Sequence, residues 1–321
     1  KLDILIKDFN LPQRKLPSVG IVMGASGYGC SALLANWTYR VRQRYPNKKE
    51  LMIITRYIGS SKNSTDTTGL IKSIMQQLKR EITGWTLEFP ENDTELKRVF
   101  SSWLEIASSF VPILLVIDGL QQLDANTNIN NRFVGWLPKL NSKITLVCSL
   151  RNTDSPYYQP LKKYDAKIQE VNIQPLNDKE TTECTTNWLG MYGKVLDKKQ
   201  MKKILDCDRT RNPLYLVTFL NQLKAFGVYE LVNTVMDDYL KANSVAEMFT
   251  KVINGLQNDY DSIIKGFVEN VLGLLLTANI GLHEAELKDS LCIAMKVSMY
   301  AQTFPVLEFS SLMLKLHHLL V

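Results

Sequence analysis

No two of the five cysteines stand at CxxC spacing, which excludes the common zinc and dithiol redox motifs, and their odd number argues against a disulfide framework. Unpaired thiols suit a reducing interior, so a cytoplasmic location is expected. Long apolar runs are also missing. The stretch from Asn270 to His283 is the longest uncharged one of the second half, and Thr277, Asn279 and Gly281 interrupt it well short of the roughly 20 apolar residues of a spanning helix. No membrane span is expected. Internal repeats and low-complexity tracts are absent. There is no initiator Met and no apolar signal segment at Lys1, so the chain reads as a portion of something longer with no legible targeting signal. Dense charge of one sign is lacking too. The net charge of +6 comes from scattered lysines such as Lys198, Lys199, Lys202 and Lys203, which read as solvated helix faces and place nucleic acid last among partners.

What remains is an ordinary globular composition, 45% hydrophobic and 22% charged, over 321 residues, enough for two or three domains. The first half alternates short apolar runs with helical patterns, which predicts a parallel sheet with crossover helices. Strands are expected at Val19–Met23, Leu51–Tyr57, Ile113–Ile117, Ile144–Ser149 and Lys167–Ile173, each mostly apolar and read as covered on both faces. Helices are expected at Cys30–Tyr45, Thr67–Ile82, Thr94–Ser109 and Asn130–Leu137. After about residue 175 strand patterns nearly vanish and helices follow one another. Asn177 with Glu180 and Ser244 with Glu247 have the spacing of capping boxes. Tyr215, Phe219, Leu223 and Phe226 form an apolar stripe that Gly227 would end.

The chemistry is concentrated at Gly24-Ala25-Ser26-Gly27-Tyr28-Gly29-Cys30-Ser31-Ala32, between a predicted strand and a predicted helix. In the phosphate-binding pattern GxxxxGK[ST], glycines let main-chain N–H groups face phosphate oxygens and the helix start adds its positive dipole end. Gly24, Gly29 and Ser31 match that spacing, with Ser31 where a Mg²⁺-binding hydroxyl belongs. Cys30 occupies the lysine position and supplies no cation. Losing that contact is worth about 2–4 kcal/mol of transition-state stabilisation, roughly 30- to 1,000-fold in rate. A plain strand-to-helix turn is the competing reading of this loop. Further on, the apolar run 112–117 ends in Asp118, the form of a Walker B carboxylate that holds Mg²⁺ at the end of a strand.

These two motifs, with the segments Leu51–Ser61, Thr145–Arg151, Asn212–Leu216, Phe226–Glu230, Ser244–Phe249 and Gly281–Leu287, resemble the NACHT-like domains of STAND-class P-loop NTPases, in the branch of nephrocystin-3, telomerase-associated and tetratricopeptide-repeat proteins. The resemblance runs nearly end to end. It implies a P-loop NTPase α/β domain over 1–175 with a parallel five-stranded sheet and helices on both faces, a helical domain over 176–260, and a winged-helix-like domain over 261–321. It implies ATP or ADP with Mg²⁺ as cofactor, Arg151 as the residue that reads the γ-phosphate, and Pro213 as the proline that lines the adenine pocket. It also implies protein partners, self-association, repeats beyond the winged helix, and a cytoskeletal or ciliary setting.

Two departures from the family pattern count against catalysis. One is Cys30, and the other is Gln121 and Gln122, which stand where active members carry acidic residues after the Walker B aspartate. The leading expectation is therefore a nucleotide switch with weak or no hydrolysis. A scaffold that binds no nucleotide comes second, and a residual ATPase assisted by a cation such as Arg56 third. A thiol at a helix start would also have a lowered pKa, which would make Cys30 redox-sensitive.

Overall fold

Five short runs of branched and aliphatic side chains pair into one parallel sheet. The computed structural model describes residues 2–6, 16–60, 62–123, 136–225, 232–262, 264–278, 281–296 and 304–316. They form two compact units, Lys1–Gln174 and Pro175–Val321.

In the first unit the strands are β1 (Ser18–Met23), β2 (Met52–Tyr57), β3 (Ile113–Asp118), β4 (Ile144–Leu150) and β5 (Lys167–Asn172), in the order β2-β3-β4-β1-β5. The helices are α1 (Asp3–Ile6), α2 (Cys30–Arg44), α3 (Thr67–Glu81), α4 (Asp93–Phe110) and α5 (Tyr158–Lys162). Alternation along each strand sends side chains to two separate cores. Val19, Ile21, Ile113, Leu115, Ile144 and Leu146 pack with Leu70, Ile74, Phe100 and Leu104 of α3 and α4. Val22, Leu114, Val116 and Val147 pack with Leu34, Trp37 and Val41 of α2. Helices therefore cover both faces, as an all-parallel sheet requires.

Registry brings the strand ends together at one edge. Met23 lies opposite Leu150 on one side and Asn172 on the other, and Tyr57 lies opposite Asp118. The order places β4 between the strand that leads into the glycine loop and the strand that ends in Asp118.

Strand positions follow the sequence expectations within a residue or so. One reading fails in its detail: β5 is not covered on both faces. It is an edge strand with no buried residue, and Glu170 on it pairs with Lys162 at 2.8 Å. Charged side chains on an edge discourage pairing with another chain, which is why an apolar pattern misjudges it. The helix expected at 130–137 falls almost wholly outside the described residues, as does the segment Phe226–Glu230 with Gly227.

The second unit contains α6 (Asp178–Gly190), α7 (Lys198–Leu205), α8 (Pro213–Ala225), α9 (Val232–Tyr239), α10 (Val245–Tyr260), α11 (Phe267–Thr277), α12 (Glu284–Met295) and α13 (Val306–Leu316), and no strand among its described residues. Tyr215, Phe219 and Leu223 of α8 pack with Leu189, Ile204 and Met236 in one core. Phe267, Leu287, Leu291, Phe309 and Leu312 form another with Val252, Leu256 and Tyr260 of α10. The capping box at Asn177 and Glu180 is present in both directions. At Ser244 only half of it forms. The Ser244 hydroxyl accepts from the Glu247 N–H, but the Glu247 carboxylate accepts from Asn243, one residue earlier. Among the described residues no helix is long and apolar enough to cross a membrane, and all five cysteines are free thiols.

Two sides of α4 differ in consequence. Phe100 is fully buried against the sheet, whereas Ile106 on the outer side is 38% exposed. Phe100→Ala is expected to cost about 3–5 kcal/mol in urea unfolding, and Ile106→Ala to stay within about 0.5 kcal/mol.

Candidate functional site

The glycine loop turns β1 into α2 in six residues, 24–29. The Gly24 N–H still donates to the Leu150 carbonyl at 3.3 Å, so the loop leaves the sheet with its first residue tied to β4. A one-turn link follows, with the Tyr28 N–H donating to the Ala25 carbonyl at 3.1 Å. Gly29 then enters the helix with φ 88° and ψ 26°, a left-handed conformation that costs a side-chain-bearing residue about 1–2 kcal/mol.

That entry leaves α2 without a side-chain cap and without an acidic residue in its first turn. By contrast α3, α4, α6, α7, α10 and α12 each begin with a side chain that accepts from the helix's own amides. The first N–H groups of any helix have no partner inside it, and a start with neither cap nor acid keeps its dipole available to an external anion. Ser31 and Ala32, in that first turn, are exposed, as are Ala25 and Ser26 on the outer side of the loop, while Gly27, Tyr28 and Cys30 are half-buried.

Gly24 is required for a different reason. A Cβ there would stand 2.8 Å from Cys30 Sγ and 3.2 Å from Ile173 Cβ. The thiol is folded back toward the start of the loop, 3.9 Å from the Gly24 carbonyl oxygen.

Asp118 ends β3 and is 5% exposed. Ser149 of β4 holds it. The Ser149 hydroxyl donates to Asp118 Oδ1 at 2.5 Å and accepts from the Gly119 N–H at 2.7 Å. Both of these oxygens, and the first turn of the loop, lie at the same end of the sheet. Ser149 was not singled out from the sequence. Its signal was its place at the end of a buried strand two residues before Arg151, a polar residue where an apolar one would pack.

Arg151 follows β4 directly and is exposed, one residue beyond the Met23–Leu150 pair and thus level with Gly24. Gln121 and Gln122 lie in a 3-10 turn just after Asp118, with Gln122 exposed. Arg56 does not reach toward the loop. It sits on β2, where its guanidinium donates to Ser73 Oγ, the Ser73 carbonyl and Gln77 Oε1 of α3, and to the Thr55 carbonyl of β2 itself, at 2.8–3.0 Å. Contrary to the expectation from sequence, a guanidinium so engaged is not free to take the place of the missing lysine. Pro213 opens α8 in the second unit, and the preceding Asn212 side chain accepts from the Leu214 and Tyr215 N–H groups.

The electrostatics at Cys30 also reverse an expectation. Its thiol pKa lies above the ordinary value, chiefly because burial disfavours the thiolate and further because the Asp118 carboxylate repels it. Hydrogen bonding at the loop works the other way but loses to those two effects. A helix start lowers a thiol pKa and apolar burial raises it, and at Cys30 burial is the larger effect.

Among the described residues no cluster of three or more His, Cys, Asp or Glu side chains could hold a metal by themselves. Ser31 and Asp118 could hold a divalent cation only together with ligand oxygens, the usual manner for Mg²⁺ beside phosphates.

Comparison with known proteins agrees with this geometry. The chain is 25% identical over 85% of its length to a TPR repeat-containing protein of Dictyostelium discoideum, covering 18% of that protein. It is 26% identical over 89% of its length to tetratricopeptide repeat protein 41 of Mus musculus, covering 23% of it. It is 22% identical over 84% of its length to nephrocystin-3 of Mus musculus, covering 20% of it. The chain thus spans about a fifth of the length of these relatives. Residues 18–191, more than half of the chain and including the whole sheet, match the family described as the NACHT domain. By that match the chain belongs to the NACHT domain family.

Proposed function

We propose that the first unit is a nucleotide-binding switch that takes ADP or ATP with Mg²⁺ and hydrolyses it weakly or not at all. The observation that carries this reading is the start of α2, which among the described α-helices α2 to α5 is alone in being entered through a left-handed glycine with no side-chain cap, and whose first residue, Cys30, feels the Asp118 carboxylate. Main-chain amides between Gly27 and Ala32 would hold phosphate oxygens. Ser31 and Asp118 would hold Mg²⁺, which when bound neutralises phosphate charge. Arg151 would read the terminal phosphate, and Pro213 would line the adenine pocket. By the family resemblance the second unit divides into a helical domain over 176–260 and a winged-helix-like domain over 261–321, and the whole acts through protein partners, self-association among them.

Without a lysine at position 30, the carboxylate of Asp118 opposes a bare phosphate, so metal and nucleotide are expected to bind together. A second reading, a scaffold that takes no nucleotide, draws on the Cys30 thiol, which turns into the loop against the Gly24 carbonyl.

Calorimetry on the whole chain separates these readings. The parent is expected to bind ADP and ATP with Mg²⁺ and at least tenfold more weakly without it, and Cys30→Lys to tighten binding by roughly 30-fold or more. Heat in the variant alone would support the scaffold, and no heat in either would remove the phosphate cradle from consideration. Turnover by the parent that disappears in Asp118→Ala would instead make the protein an ATPase.

The same site argues against a redox role. A raised thiol pKa leaves less thiolate at neutral pH, so Cys30 is expected to react with iodoacetamide more slowly than free cysteine and to gain rate as pH rises above the ordinary thiol range. Asp118→Asn removes one cause of the shift and should speed the labelling severalfold, as read by peptide mass spectrometry. Labelling of the parent faster than free cysteine at pH 7 would restore the redox idea.

A further inference from the structure

Away from the nucleotide edge, the connection from α3 to α4 builds a groove that the proposed switch does not use. Trp103 of α4 is nearly buried, with Trp85 tilted against it at 4.8 Å between ring centres and Phe89 edge-on at 5.7 Å. These aromatic contacts hold Trp85 and Phe89 against the middle of α4. Between them lies a cavity of about 460 Å³ with Leu87, Phe89, Val99, Trp103 and Ile106 in its wall.

The apolar surface continues beyond the cavity. Val99, Ile106 and Phe110 recur at seven and four residues, which places them on one side of α4, and Ile106 and Phe110 are 38% and 56% exposed. From Val99 to Phe110 this stripe runs about 16 Å. A small molecule would fill the cavity and leave the stripe bare, whereas a peptide segment with several side chains covers both.

The rim carries the opposite sign to the chain as a whole. Glu88 and Glu91 are exposed and Glu95 is half-buried at the same groove, in a protein of net charge +6. Of these, Glu95 has an ion pair with Arg98, at 3.5 Å and open to water. Such a rim repels nucleic acid and anionic lipid and favours Lys or Arg.

We propose that this groove docks a segment of a partner protein that carries basic residues beside an apolar anchor. The anchor enters between Phe89 and Ile106 and covers Trp103. The basic side chains meet Glu88 and Glu91. Binding here needs no nucleotide, so it stands or falls apart from the switch.

The test uses the whole chain and two labelled 14-residue probe peptides with leucines at helical spacing, one with arginine and the other with glutamate at the remaining positions. Fluorescence anisotropy is expected to show the arginine peptide binding at least tenfold more tightly than the glutamate peptide, with amide-exchange protection confined to 85–110. Glu88→Lys with Glu91→Lys should remove that preference, and Ile106→Asp should weaken the arginine peptide at least tenfold. All three positions are exposed, and unchanged thermal melts would confirm folding. Equal binding of the two peptides, protection elsewhere, or indifference to the charge reversal would overturn the proposal. So would a dimer in sedimentation that Ile106→Asp dissolves, because the groove would then belong to a second copy of this chain.

Discussion

The C-terminal edge of the sheet depends on one constraint. A chain that leaves a buried parallel strand and reverses into a covering helix within six residues must spend its loop on backbone geometry, and the helix it enters starts with amides that no carbonyl can reach. At α3, α4, α6, α7, α10 and α12 Asp, Asn, Ser or His side chains satisfy such amides. At α2 the left-handed Gly29 takes the capping position and leaves the need unmet. The crossing of β4 between β1 and β3 then sets the distance at which a carboxylate can face that opening, and Ser149 fixes the carboxylate's orientation from β4 itself.

Charge is where this arrangement departs from an efficient phosphate-handling site. The dipole of α2 is the positive element of the loop, Asp118 is negative, and the residue between them is a protonated thiol. Family membership establishes the NACHT scaffold, and under the proposed function the side chain at position 30 would decide how strongly that scaffold acts on a phosphate. The half-buried guanidinium of Arg56 is committed to joining β2 to α3 through three hydrogen bonds, with a fourth to the Thr55 carbonyl on its own strand.

Much of the sheet was legible because parallel strands covered on both faces write themselves as short unbroken apolar runs. The same rule misread β5, where charged residues such as Glu170 mark an edge that an average over six residues hides. Helix starts were legible where a cap and an acid stand three residues apart, as at Asn177. They were partly misread at Ser244, because the spacing does not say which of two neighbouring amides the glutamate will choose. At the candidate site, Gly24, Gly29 and Ser31 could be named from spacing, and Asp118 from its place at the end of an apolar run. Ser149 could not, since a serine in a strand looks ordinary until its hydroxyl is seen between a carboxylate and an amide, and the direction of the Cys30 shift needed its burial and the charge of Asp118.

In the helical unit, α10 gives Met248 to one core and Val252, Leu256 and Tyr260 to the other. Its sixteen residues form a rod of about 24 Å with both ends set in packed side chains. Loosening either core therefore frees a helix on which its neighbour also rests, which couples the two energetically. The eight described helices should melt as one body, and any rearrangement that passes through this unit has to carry α10 whole.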